Sequence, residues 1–89
     1  MRRNENFILR QTADLTIILP VGEASVHFPG MISVNETGAM LWELLREPCN
    51  AQSLALEFTR GYEVELDRAR RDVDVFLEQL RRAGALLEE

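Results

Sequence analysis

The chain contains no lysine: all ten basic residues are arginine, and 89 residues include one histidine, one cysteine, one tryptophan and one tyrosine. Without lysine there is no amine for Schiff-base chemistry and none for a phosphate-binding loop or a kinase-type site. One cysteine (Cys49) and one histidine (His27) make neither a disulfide, nor a CxxC redox pair, nor a multi-ligand zinc site. The longest apolar stretch, around Leu15 to Val21, is far shorter than the roughly 20 residues that cross a bilayer. Two arginines near the start are followed by no apolar run of signal-peptide length, so the expected location is the cytoplasm. Positive charge is outnumbered, fifteen acids leaving a net charge of −5. A chain with that balance is not built to neutralise phosphates, on nucleic acid or on a membrane.

What remains is an ordinary globule, 46% apolar and 28% charged. Its length fits one unit spanning residues 1–89, burying roughly 60–65% of its unfolded surface. No repeat, linker or low-complexity segment interrupts it.

The first third has the period and punctuation of strands. Phe7 to Gln11 is followed by a polar break at Thr12–Asp14, then by the apolar, β-branched run Leu15 to Leu19. Proline and glycine between Pro20 and Glu23 signal a turn. Ser25-Val26-His27-Phe28 alternates polar and apolar, Pro29-Gly30 interrupts, and Met31 to Val34 resumes an extended run. This predicts a three-stranded antiparallel meander whose third strand is split at Pro29-Gly30.

At Asn35 the period changes to that of helices. Asn35 can cap a helix that is apolar on most sides, from Ala39 through Trp42 to Leu45, and Pro48 stops it. Asn50 caps a second, with Ala51, Leu54, Ala55 and Phe58 at i, i+3, i+4 and i+7 and Gly61 as a left-handed terminator. The third runs from about Leu66 to Ala83 with the stripe Leu66, Ala69, Val73, Phe76, Leu77 and Leu80, closed by Gly84. Ala85-Leu86-Leu87 is then placed to fold back on the core. Three strands followed by three helices make a small α+β fold.

Catalytic chemistry is hard to find. His27 has no companion ligand and Cys49 sits alone in a loop; a dyad of the two would need a proximity that spacing does not give. The acids Asp67, Asp72, Asp74 and Glu78 lie among five arginines on the third helix, the pattern of a solvated face. Two features stand out instead. The third strand would lie at a sheet edge with unpaired backbone groups and little charge to defend it. Val75, moreover, points away from the core stripe of its helix.

The order NETGAMLWELL (Asn35 to Leu45), a proline turn with a capped helix, GYEVE (Gly61 to Glu65) and ARRDVDVFLEQLRRAGALLE resembles the PqqD-like proteins, also called RiPP recognition elements. The likeness runs from about Phe7 to Leu87. It is sharpest at Asn35-Glu36-Thr37-Gly38 with Trp42, and at Asp72-Val73 with Phe76, Leu77 and Leu80. Glu65 departs from it, since an Asp or Ser-type cap is usual before the third helix. The resemblance implies a winged-helix-like fold that does no chemistry and is not an enzyme; with no lysine, one histidine and one cysteine, no cofactor or metal is expected. It implies binding of the leader segment of a ribosomally made precursor peptide by β-strand addition, and delivery to a maturase, often a radical SAM enzyme.

Carried onto this chain, the resemblance places the peptide-binding edge on Val26, His27 and Phe28 and, after the kink, on Met31, Ile32, Ser33 and Val34. Along one flank of the third helix it points to Arg68, Asp72, Val75 and Gln79, with Arg68 reaching leader carboxylates and Val75 its apolar anchors. The opposite flank, Arg70, Asp74 and Arg81, is the alternative. Asn35-Glu36-Thr37-Gly38 reads as structural, a cap plus a glycine that permits close approach of the sheet. Two rival functions stand beside this one: a winged-helix DNA-binding protein, and an adaptor that homodimerises through its open strand edge. Eight acids against five arginines from Glu63 to Glu89 weigh against the DNA reading.

Overall fold

The computed structural model describes residues 1–27 and 30–88. The elements in chain order are β1 (Arg2–Arg3), β2 (Phe7–Gln11), β3 (Thr16–Pro20), α1 (Ala24–His27), β4 (Ile32–Val34), α2 (Glu36–Leu44), α3 (Ala51–Gly61), α4 (Leu66–Ala83) and β5 (Leu86–Leu87). The fold is α+β, with a three-stranded antiparallel sheet in the order β2-β3-β4 and the longer helices after it.

The expected meander is there, with one correction. Ser25 to His27 do not extend the third strand, and Val26 and His27 belong to the short helix α1. Gly22 turns the chain at a φ of +62°, and Ser25 and Val26 then donate backbone bonds to Gly22 and Glu23, which coils the segment. Ala24 is buried in the core as the coil's anchor, and a polar–apolar alternation of four residues is too short to fix a strand period. The edge strand is therefore only Ile32–Val34, with exposed Met31 just outside it. Phe28 and the kink residue Pro29 lie outside the described residues.

The helices follow their caps. Asn35 Oδ1 accepts from Gly38 N–H at 2.9 Å and starts α2. Asn50 and Ser53 form a reciprocal capping box at 2.8 and 3.2 Å for α3. Glu65 gives α4 no side-chain cap, and Gly84 ends that helix at a φ of +79°. Gly61 differs from expectation: it is the last helical residue, and the chain leaves through Tyr62 in extended conformation. The Tyr62 ring packs edge-on against Phe58, centroids 5.4 Å apart, which holds that exit.

Core side chains from every layer form one buried cluster with Trp42, which is 1% exposed. Ile18 joins the cluster from the sheet, Leu41 and Leu45 from α2 and its end, Leu54 and Phe58 from α3, and Ala69, Val73, Phe76, Leu77 and Leu80 from α4. Leu66, expected on that stripe, is exposed, because the buried face of α4 begins only at Ala69.

A second, two-stranded sheet has no precursor in the sequence pattern. Arg2 pairs with Leu87 and Arg3 with Leu86, and Arg3 N–H also donates to Leu45 C=O at 2.9 Å. The Arg3 guanidinium lies over the Trp42 ring, 5.3 Å from its centroid, and donates to the Trp42 carbonyl. This clasp buries Leu86 against the core, as the return of Ala85 to Leu87 anticipates.

Candidate peptide groove

Strand β4 is an edge of its sheet, and the hydrogen-bond phase decides which of its backbone groups are free. Val21 N–H donates to Asn6 C=O at 2.8 Å and Thr12 N–H to Leu15 C=O at 2.7 Å, at opposite ends of the β2–β3 hairpin. The odd-numbered residues of β3 therefore turn their backbone groups toward β2, because antiparallel ladders alternate strictly. Thr16 and Ile18 turn theirs toward β4, where they face Val34 and Ile32. Ser33, opposite Ile17, is left with N–H and C=O both pointing out of the sheet.

Across from that edge runs α4. Between them lies a groove of about 430 Å³ whose walls are Ser33 and Val34 on one side and Arg68, Asp72, Val75 and Gln79 on the other. Those four residues at i, i+4, i+7 and i+11 are the flank named from the sequence. The alternative flank, Arg70, Asp74 and Arg81, does not line the groove. Val75 is 61% exposed, off the core stripe as expected. The floor is apolar, built from Leu41, Phe58 and Phe76. Spacing alone marks these only as core residues, which is why they escape a search for site residues.

Gly38 lines the same groove and fixes its depth. A Cβ there would meet Val34 Cβ at 3.0 Å and the Phe76 ring at 3.3 Å. Asn35 and Gly38 thus act together: one starts α2, the other lets the helix close on β4 directly behind the edge.

A second hollow of about 590 Å³ continues past Ser33 and Gln79. Met31 and Ile32 line it, with His27 entering from α1 and Phe7 and Ile18 behind them. Of the expected site residues, Ser33, Val34, Arg68, Asp72, Val75 and Gln79 gather at the first hollow. His27, Met31 and Ile32 gather at the second. Val26 lines neither, and Phe28 lies outside the described residues.

The groove carries both signs of charge. Arg68 Nε sits 3.6 Å from Asp72 Oδ2, an exposed i,i+4 pair that contributes at most about 1 kcal/mol. Such a pair opens readily to an incoming carboxylate, since the guanidinium has five donors and one ion contact leaves several unused. Among the described residues no group of three or more His, Cys, Asp and Glu could hold a metal. Cys49 donates weakly to Leu44 C=O at 3.9 Å, and burial pushes its thiol pKa up, away from the nucleophilic thiolate.

Residues 16–86 match the family model for Coenzyme PQQ synthesis protein D (PqqD). The chain belongs to the PqqD family. Two solved structures share its fold. One is TbiB1 in complex with the TbiA(beta) leader peptide, with a TM-score of 0.76 and 18% identity over 100% of this chain and 98% of that one. The other is lasso peptide synthetase B1 complexed with the leader peptide, with a TM-score of 0.73 and 23% identity over 98% and 96%. No curated protein sequence matches significantly. Among the described residues no helix is long and apolar enough to cross a membrane.

Proposed function

We propose that this PqqD-family chain binds the leader segment of a ribosomally made precursor peptide as an added strand on β4, and presents it to a peptide-modifying enzyme without chemistry of its own. The observation that carries this reading is the outward pair of backbone groups on Ser33, facing α4 across an apolar-floored groove. A strand laid there gains backbone hydrogen bonds from the edge and side-chain pockets from the helix. Its inward side chains meet Val75 and the Phe76 floor, and a carboxylate near Arg68 displaces Asp72. The two related folds, each solved with a leader peptide, support the same assignment. On the family resemblance the enzyme is a radical SAM maturase, and the work takes place in the cytoplasm.

Amide chemical-shift mapping during titration with the cognate leader tests this. Shifts are expected at Met31–Val34 and along Arg68–Gln79. Shifts confined to α3 and the Pro48–Asn50 turn, with β4 silent, would sink the proposal.

A further inference from the structure

The central strand is apolar on both faces. Ile18 and Pro20 are buried on the inner side, while Leu15, Ile17, Leu19 and Val21 all point outward by the alternation of the strand. A sheet with one face in water alternates apolar with polar, whereas a strand apolar on both sides is one that is covered on both. Ile8, opposite Leu19 on β2, extends the outer patch. Ile8, Ile17 and Leu19 are half-exposed and take no part in the core, and Leu15 is 56% exposed. Among the described residues nothing covers this face.

From this two-sided strand we propose that the outer face of β2-β3-β4 is the docking surface for the peptide-modifying enzyme. The inference rests on the proposed function. Two arguments select the enzyme over a second copy. Two strands of five residues and one of three, about 4.8 Å apart, make a face of roughly 200 Å². Two copies stacked on it bury about 400 Å², well under the roughly 1,200 Å² of a stable interface. Charge points the same way. Arg10, opposite Ile17, is the one charged side chain on the three strands' outer face and makes no ion pair among the described residues. Face-to-face copies would offer each other an arginine and no carboxylate, and each carries a net charge of −5. The fitting partner is a larger protein with an apolar patch beside an acidic side chain.

Position gives the arrangement its use. Ser33 belongs both to the leader-binding edge and to the outer face. A leader strand on β4 would therefore widen that face, with every second leader side chain pointing toward the docked enzyme.

The test uses the full chain, its cognate leader peptide and the purified enzyme that modifies the precursor carrying that leader. Ile17→Glu/Leu19→Glu is expected to weaken enzyme binding about tenfold or more and to leave leader affinity unchanged. Arg10→Glu should weaken it less, and mainly at low salt. Cross-saturation from protonated enzyme to the deuterated wild-type chain reads the same surface without any variant, and should light the methyls of Ile8, Ile17 and Leu19. An enzyme that binds the wild type and the double variant equally, saturation confined to other faces, or no binding of the enzyme at all overturns the docking surface. So does a wild-type chain that sediments as a dimer which the double variant dissolves. Leader binding in the groove would still stand in each of those cases, and its own failure would show as a silent β4 in the shift mapping.

Discussion

Proline placed at two adjacent positions of β4 should have opposite consequences. At Ser33 the lost N–H points out of the sheet. Proline is tolerated on an edge strand where its missing donor faces solvent, so Ser33→Pro should leave the fold nearly intact. A change below about 1 kcal/mol in unfolding free energy moves the melting temperature by no more than about 4–8 °C in a chain of this size. The bound leader, however, loses one backbone hydrogen bond, worth about 0.5–1.5 kcal/mol, and meets the pyrrolidine ring where its own strand should lie. Leader affinity should fall by at least about tenfold. At Ile32 the N–H instead belongs to the ladder with Ile18, whose side chain is fully buried. Ile32→Pro breaks that bond and orphans a carbonyl inside the sheet, at a cost of about 1–3 kcal/mol before any packing loss. Thermal unfolding followed by circular dichroism, with leader titration by calorimetry, separates the two effects. A folded Ser33→Pro chain that binds leader like the wild type would refute strand addition at this edge. An Ile32→Pro chain as stable as the wild type would refute the hydrogen-bond phase on which the argument stands.

Other substitutions probe single features. Val75→Asp should reduce leader affinity in calorimetry while leaving the melting temperature within a few degrees, since Val75 is exposed and off the core stripe. Arg68→Glu should weaken binding of a leader with acidic residues, with the difference fading above about 0.5 M salt, whereas Asp72→Asn frees Arg68 and should strengthen it. Trp42→Ala removes the largest fully buried side chain and should cost about 3–5 kcal/mol, read by denaturant unfolding; a loss below about 1 kcal/mol would refute the placement of α2. Gly38→Ala gains about 0.5–1 kcal/mol of helix propensity. It also drives a methyl to 3.0 Å from Val34 Cβ, an overpacking cost of about 1–3 kcal/mol, so a lower melting temperature is expected.

The helices were legible because their signals are strong and local. Asn35 and Asn50 cap as expected, and the long period of α4 gives both its limits and the outward direction of Val75. The same periodicity put Arg68, Asp72, Val75 and Gln79 on one flank, while only the tertiary arrangement shows that this flank faces β4. Short segments were less legible. Four alternating residues read as strand where Gly22 and Ala24 make a helical turn, so Val26 lines neither hollow and His27 reaches the second from α1. The β1–β5 clasp joins residues more than 80 positions apart through two-residue strands, too short for any period. Gly61 misled for a related reason: the chain's exit there is set by Tyr62 packing on Phe58, a tertiary contact that overrides the preference of glycine for a left-handed end.

The charges of α4 bear on the DNA-binding rival more heavily in three dimensions than in the count alone. A recognition helix needs cations free to meet phosphates. Here Arg68 is held by Asp72, and Arg81 and Arg82 both converge on Glu78, with Glu88 taking Arg81 from its other side. These exposed pairs are individually weak, yet Arg68, Arg81 and Arg82 would each have to abandon a carboxylate that then stands beside the DNA, which leaves only Arg70 and Arg71 of α4 without an ion pair among the described residues. The helix therefore meets a polyanion with three of its five arginines already paired and with more acids than arginines from Glu63 to Glu89. A short peptide asks less of it. On the proposed function one carboxylate would exchange places with Asp72 at Arg68, while the apolar floor and the Ser33 backbone would supply the other contacts. The same local pairing that weakens α4 toward nucleic acid would, on the proposed function, let it select among peptides.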